Sequence, residues 1–292
     1  MKGTKIKASR GSQVFDIALY VFFILLCFTM LYPFWNSFVL SLMNPAEAGS
    51  MGVKLYPKEP TLAAYRHVLS TNIVFISYRN TILRTVIVTV VGTIMTFLAA
   101  YPMANKKLPF RGVLTVYLLI PMFFSGGLIP SYLLINNLGI FDTFWALILP
   151  CLISVYNILI ARNFVMSLPD SLEESALLDG ASYLRVFWSI ILPLSTPIIA
   201  TIALWIAVAT WNEWFQASIY TRTSALEVLQ TYLRSITIEK SVDLEDTLGN
   251  EAVLSRSVES ATILISIGPI VLIYPFFQKY FVKGVMVGSL KG

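Results

Sequence analysis

Charge is what this sequence has least of: Asp, Glu, Lys and Arg make up 13% of its 292 residues, while 57% are hydrophobic. Soluble domains carry about 25% charged residues, so the composition excludes an ordinary soluble fold and indicates an integral membrane protein. Histidine is nearly absent. His67 stands alone in a segment expected outside the membrane, which removes a His-rich metal site and a Ser-His-Asp arrangement from consideration. Cys27 and Cys151 lie far apart in apolar segments without a metal spacing, and read as small buried hydrophobes. No G-x-x-x-x-G-K-[ST] loop occurs, so this chain does not bind and hydrolyse ATP in that manner. Polar groups near the apolar runs are isolated, as with Asp16, Arg84 and Asn157. Arg84 is expected to snorkel from the outer end of its span, and Asp16 to sit at an inner edge. An enzyme is therefore a poor fit, and a secondary transporter would have few carboxylates for proton relay. The net charge of +5 is scattered beside apolar runs, which argues for loop placement and against nucleic acid.

What the chain has in quantity is apolar sequence. Crossing a bilayer takes about 20 apolar residues. Stretches of that order run over Phe15–Trp35, Thr81–Ala104, Gly112–Ile135, Phe144–Ala161, Pro193–Trp211 and Ala261–Phe281. The expected fold is all-α with six transmembrane helices and a single membrane domain over residues 1–292. Pro121, Gly126, Gly127 and Pro130 interrupt the third span, which predicts a kinked or partly unwound helix. Lys2, Lys5, Lys7 and Arg10 precede the first span, and Lys106, Lys107 and Arg111 fill the second connection. Arg162 and Arg185 lie in the fourth connection, and Lys279, Lys283 and Lys291 follow the sixth span. Basic residues concentrated in alternate connections place both termini in the cytoplasm, with external loops at 36–80 and 212–260. Within the longer external loop, Ser224–Ile238 has helical character.

A charged island, Ser171–Pro193, interrupts this pattern in the cytoplasmic loop 162–192. Pro169 precedes it, Ser171 is placed to cap a helix, and Glu174 three residues on can complete a capping box. Gly180 ends that helix in the left-handed conformation, Ser182 caps a second helix over Tyr183–Leu192, and Pro193 and Pro197 bend the chain into the next span.

The spacing Glu174, Ser175, Ala176, Gly180, Ile190, Leu192, Pro193 resembles the EAA loop, E-A-A-x3-G-x9-I-x-L-P, of permease subunits in ATP-driven bacterial importers. Asp179 and Ala181 fit its D-G-A core, and Ser175 is the one departure. Pro121–Ile140, the Trp211-Asn212-Glu213-Trp214 cluster and the tail Gln278–Gly292 further resemble the carbohydrate branch of that family, including the maltose permease second subunit and Gram-positive complex-oligosaccharide permeases.

The resemblance implies a type I importer permease in the bacterial cytoplasmic membrane, without a cofactor of its own. Its implied partners are a second permease subunit, two copies of a cytoplasmic ATPase that bind ATP and Mg, an external solute-binding protein and a sugar, within the lipid bilayer. The helix beginning at Ser171 would dock in a groove of the ATPase. The loop from Glu213 to Glu251 would reach the binding protein. Trp211, Asn212, Glu213 and Trp205 are candidates for the sugar pathway, since an indole stacks on a sugar ring while amide and carboxylate groups bond its hydroxyls. An importer of another substrate class and an ATP-independent secondary transporter are the alternatives.

Overall fold

The computed structural model describes residues 10–48, 54–246, 256–272 and 275, and these are mostly helical, with no strand among them. They fall into two compact units, residues 1–70 with 236–265, and residues 71–235 with 266–292.

The first unit contains α1 (Arg10–Ser41), α2 (Pro45–Ala48) and α3 (Ala63–Ser70). Helix α1 is apolar on every side and exposed over residues 11–31, as a helix surrounded by lipid or other subunits must be, and buries Val39 and Ser41 only in its last turns. It runs past the expected boundary at Trp35 because its serines bond inward: Ser37 Oγ donates to the Pro33 carbonyl at 3.0 Å and Ser41 Oγ to Phe38 at 2.8 Å. At its C-terminal end, Val39 joins Met43 and Ala48 in a small core. The Trp35 indole donates to the Leu55 carbonyl at 3.0 Å.

The second unit is built on α4 (Asn72–Ala104), against which α8 (Val155–Val165) and α12 (Thr196–Asn212) pack. Its core joins Val88, Phe97 and Ala100 to Ile158, Ala161, Phe187, Ile202 and Ile206. Helix α4 begins well before Thr81, so the expected loop 36–80 is shorter at both ends. The buried groups Ser77, Asn80, Thr81 and Arg84 lend this first stretch the polarity of a loop. Gly92 permits the close packing here: a Cβ at this position would stand 2.8 Å from the Leu152 carbonyl oxygen.

Three expected spans are broken. Helices α5 (Arg111–Phe123) and α6 (Leu128–Asn137) meet at 109° across Phe124–Gly127, where Gly127 has φ +89. The break falls in the segment rich in Pro and Gly. Helix α7 (Phe144–Ile148), extended by a 3-10 turn to Cys151, meets α8 at 45°. The expected fifth span divides at Ser195, with an 82° bend between residues 183–194 and α12. Before that bend, α10 (Tyr183–Val186) passes into a π-turn at Phe187–Ile191 and then α11 (Leu192–Leu194). Pro193 and Pro197 lack the N–H groups that would keep the chain straight. Two single helices, or up to five spans if each bent pair is one, are long and apolar enough to cross a membrane among the described residues.

The expected external loop 212–260 carries α13 (Phe215–Tyr220) and α14 (Leu229–Asp246), so its helical segment starts later and runs further than the sequence predicts. Residues 256–272 are helical, and the rest of the expected sixth span, except residue 275, lies outside the described residues together with the basic N-terminus and the tail at 278–292.

Candidate functional site

The charged island forms α9 (Asp170–Leu178), one residue earlier than its serine predicts. Pro169, with φ −61 and ψ 124, holds the N-cap position, and no side chain caps this end. Ser171 and Glu174 therefore form no capping box. Instead the acidic residues reach the connection after α4: Asp170 pairs with Lys106 Nζ at 2.9 Å, Glu174 lies 3.8 Å from Lys107 Nζ, and Asn105 Nδ2 donates to Glu173 at 3.4 Å. The two ion pairs are solvent-exposed, worth about 0–1 kcal/mol each, so they orient the helix more than they stabilise it. Burial pushes the Glu173 carboxyl up; the Tyr101 phenol opposes it, the Asp170 charge adds to it, Lys107 opposes it and Glu174 adds to it.

The end of α9 follows its sequence closely. Gly180 has φ +82, its N–H donates to the Leu177 carbonyl at 3.1 Å, and the Ala181 N–H donates to Ala176 at 3.0 Å. This paired closure is the Schellman arrangement, in which glycine takes the left-handed position without strain. Asp179 sits exposed at the C-cap and Ser175 faces solvent. Ser182 Oγ then accepts the Arg185 N–H at 3.3 Å, as its position predicts. Ala176, Leu177, Ala181, Ile190 and Leu192 lean on the membrane core, with Pro193 at the bend. The outer face is open and mixed, with Leu172 and Leu178 exposed beside Ser171, Glu174 and Ser175, and Leu178 is 88% exposed.

Within the membrane region a second feature stands out. Arg84 is 1% exposed and so does not snorkel. Its Nε donates to the Leu147 carbonyl at 2.8 Å, one terminal nitrogen to the Glu213 carbonyl at 3.2 Å, and the other to the Glu213 carboxylate at 2.7 Å and Cys151 Sγ at 3.4 Å. One guanidinium thus ties α4 to the end of α7 and to the C-cap of α12. Cys151 is a member of this network, not an inert hydrophobe, and Cys27 is exposed on α1. Arg84 carried a structural signal that sequence reasoning misjudged, because the matching carboxylate lies 129 positions away.

Beside this network lies a cavity of about 400 Å³, lined in part by Tyr156, Asn157, Trp205, Glu213 and Gln216. The candidate pathway residues divide around it. Trp205 and Glu213 line it, whereas Trp211 is 6% exposed, with its indole donating to the Ser266 carbonyl at 3.2 Å. The Asn212 amide donates to its own helix at Val208, and Trp214 is covered by Arg234, whose guanidinium carbon is 3.6 Å from the ring centroid. The aromatic cluster is consumed by packing. Tyr156, Asn157 and Gln216, which sequence reading did not select as site residues, take its place at the cavity.

The family described as binding-protein-dependent transport system inner membrane components matches residues 78–287. The chain belongs to this family. As a permease of that family it is an inner-membrane component of an importer, and the secondary-transporter alternative falls away. Its similarity to "Protein LplC" of Bacillus subtilis is 40% identity over 286 residues, covering 97% of each chain. It is 37% identical over 284 residues to the polygalacturonan/rhamnogalacturonan transport system permease protein YtcP of the same species, covering 96% of this chain and 99% of that one. Among solved structures, a bacterial ABC transporter involved in import of the acidic polysaccharide alginate matches with a TM-score of 0.87 and 30% identity, covering 95% of this chain and all of that one. The permease therefore has the type I importer fold, and its relatives are transport subunits, not enzymes. Membership implies a second permease, an ATPase and a solute-binding protein as partners.

Proposed function

We propose that this permease forms half of the translocation pathway of an ATP-driven importer for a sugar or oligosaccharide, and that α9 is the element through which ATPase subunits drive it. The observation that carries this reading is the construction of α9. Its inner face is packed on the membrane core, its end is fixed by Gly180, and its outer face presents Leu178 and Leu172. A short helix held this firmly passes displacement into the bent span that follows, because packed helices move as bodies between discrete arrangements. Glu174, Ser175, Ala176, Asp179, Gly180, Ala181, Ile190, Leu192 and Pro193 are the coupling residues of this account. The sugar class rests on the named activity of the polygalacturonan/rhamnogalacturonan relative and of the alginate importer.

The same account has a single domain over residues 1–292 with six spans, both termini and α9 in the cytoplasm, two ATPase copies, and a loop around α13 and α14 that receives the binding protein. Residues 247–255 of that loop lie outside the described residues. The test is copurification of the permease pair with its ATPase, together with binding measurements on the partner solute-binding protein. The account expects a stable complex and capture of an oligosaccharide. Capture of an amino acid or phosphonate in place of a sugar would contradict the substrate class and leave the importer assignment standing.

A further inference from the structure

We infer that Arg111 and Arg162, brought together where α5 begins and α8 ends, form a site for the phosphodiester of an anionic phospholipid whose acyl chains lie along the outer surface of α5. Neither residue has a part in the coupling or the sugar pathway described above, and the site is independent of which sugar is carried.

The two charges come from different helices. Arg111 is the first residue of α5, and its side chain is held in place: Nε donates to the Met103 carbonyl at 2.9 Å, and one terminal nitrogen lies 3.2 Å from Met166 Sδ. Met166 is the C-cap of α8, one turn beyond Arg162, and its N–H donates to the Arg162 carbonyl at 2.9 Å. The Arg111 charge acts on Arg162. Like charges so placed repel, and an anion between them turns the repulsion into attraction.

What Arg162 lacks is the second observation. Its Nε is buried, and its side chain makes no hydrogen bond or ion pair among the described residues. No carboxylate pairs with Arg111 either, because the nearby helix α9 commits Asp170 to Lys106 and Glu174 to Lys107. Buried donors are satisfied as a rule, charged ones above all, and a guanidinium fork matches two phosphate oxygens at once. The N-terminus of α5, capped by no side chain, adds partial positive charge on the same side.

The surface that continues from Arg111 identifies the occupant. Val113, Leu114, Val116, Tyr117 and Ile120 of α5 are all exposed. A free inorganic anion has no use for that surface, whereas a phospholipid covers it with acyl chains while its headgroup lies level with the arginines, as anionic headgroups do beside interfacial basic residues.

The test uses the assembled importer, the permease pair with its ATPase, delipidated in detergent. Native mass spectrometry reads bound lipid, and the rise in thermal midpoint on titration reads affinity. The probes are phosphatidylglycerol, phosphatidylcholine with the same chains, and glycerol phosphate without chains. The parent should bind phosphatidylglycerol and, at equal concentration, neither of the others. Arg162→Gln and Arg111→Gln should each weaken that binding about tenfold, and the double variant further, since each removes charge-assisted bonds to the phosphate. Arg185→Gln, at an exposed arginine of α10, should bind as the parent does. Equal phosphatidylglycerol binding by the parent and the double variant would overturn the site, and an equal loss in Arg185→Gln would reduce it to diffuse attraction and overturn it too. Protection by glycerol phosphate as strong as by the lipid would contradict a lipid occupant. Release of the lipid when the ATPase joins the permease pair would assign the arginines to an acidic group of the partner and overturn the proposal.

Discussion

The guanidinium of Arg84 and the carboxylate of Glu213 meet at 2.7 Å inside the membrane region, with the arginine 1% exposed and the glutamate side chain 20% exposed. A buried ion pair has this standing only when the remaining donors are also satisfied, as they are here by the Leu147 and Glu213 carbonyls. Removing one partner leaves the other charge stranded. Glu213→Ala is therefore expected to cost about 3–5 kcal/mol, while replacing both residues by apolar ones should recover most of that loss. Thermal unfolding of the detergent-purified variants checks both values. Equal losses in the single and double variants would show that the pair acts independently of charge.

Gly92 predicts a packing effect of opposite sign to an ordinary helix substitution. Alanine normally gains about 0.5–1 kcal/mol over glycine in a helix, but the added Cβ at Gly92 meets the backbone oxygen of Leu152 at 2.8 Å. A backbone carbonyl at a helix break cannot swing aside like a side chain. Gly92→Ala should lose about 1–3 kcal/mol of stability, and Gly112→Ala, with nothing within 4 Å, should be neutral or stabilising. The same thermal assay separates them.

Much of this was legible in the sequence, and the failures share one cause. The Gly180 turn, the Ser182 cap, the proline elbow and the broken third span follow from local chemistry, where one residue type dictates a backbone conformation. Helix ends and polar residues inside spans did not follow, because their stabilisation is non-local. Asn80 belongs to α4 because its amide donates to the Ala225 and Glu227 carbonyls at 2.8 and 2.9 Å. Trp211 resembled a surface aromatic because its buried partner, the Ser266 carbonyl, is 55 positions away. Of the cavity, only Trp205 and Glu213 were visible, since a tyrosine and an asparagine in an apolar run carry no periodic signature.

Asp142 gives a pH prediction. Its carboxylate accepts the Arg222 N–H at 2.8 Å, the Thr223 hydroxyl at 2.6 Å and the Thr223 N–H at 3.0 Å, and these bonds hold it below the ordinary carboxylate value. A depressed carboxylate favours the folded state above its unfolded pKa, and that contribution fades as pH falls through the folded value. The parent should lose stability on acidification below about pH 4 more steeply than Asp142→Ala. Parallel pH profiles for the two proteins would remove Asp142 as a clasp between its loop and residues 222–223.

The coupling role of α9 is tested most directly by binding-protein-stimulated ATP hydrolysis in the reconstituted importer, comparing the parent with Gly180→Val, Gly180→Asn and Leu178→Asp. Gly180 has open space around it, so a substitution there acts through its left-handed backbone, at about 1–2 kcal/mol for a bulky residue and less for asparagine. Valine at this position, and a charge on the exposed leucine, should sharply reduce stimulated hydrolysis while both permease subunits still insert and pair, and asparagine should retain it. Stimulated hydrolysis at the parent level in both Gly180→Val and Leu178→Asp would contradict the account.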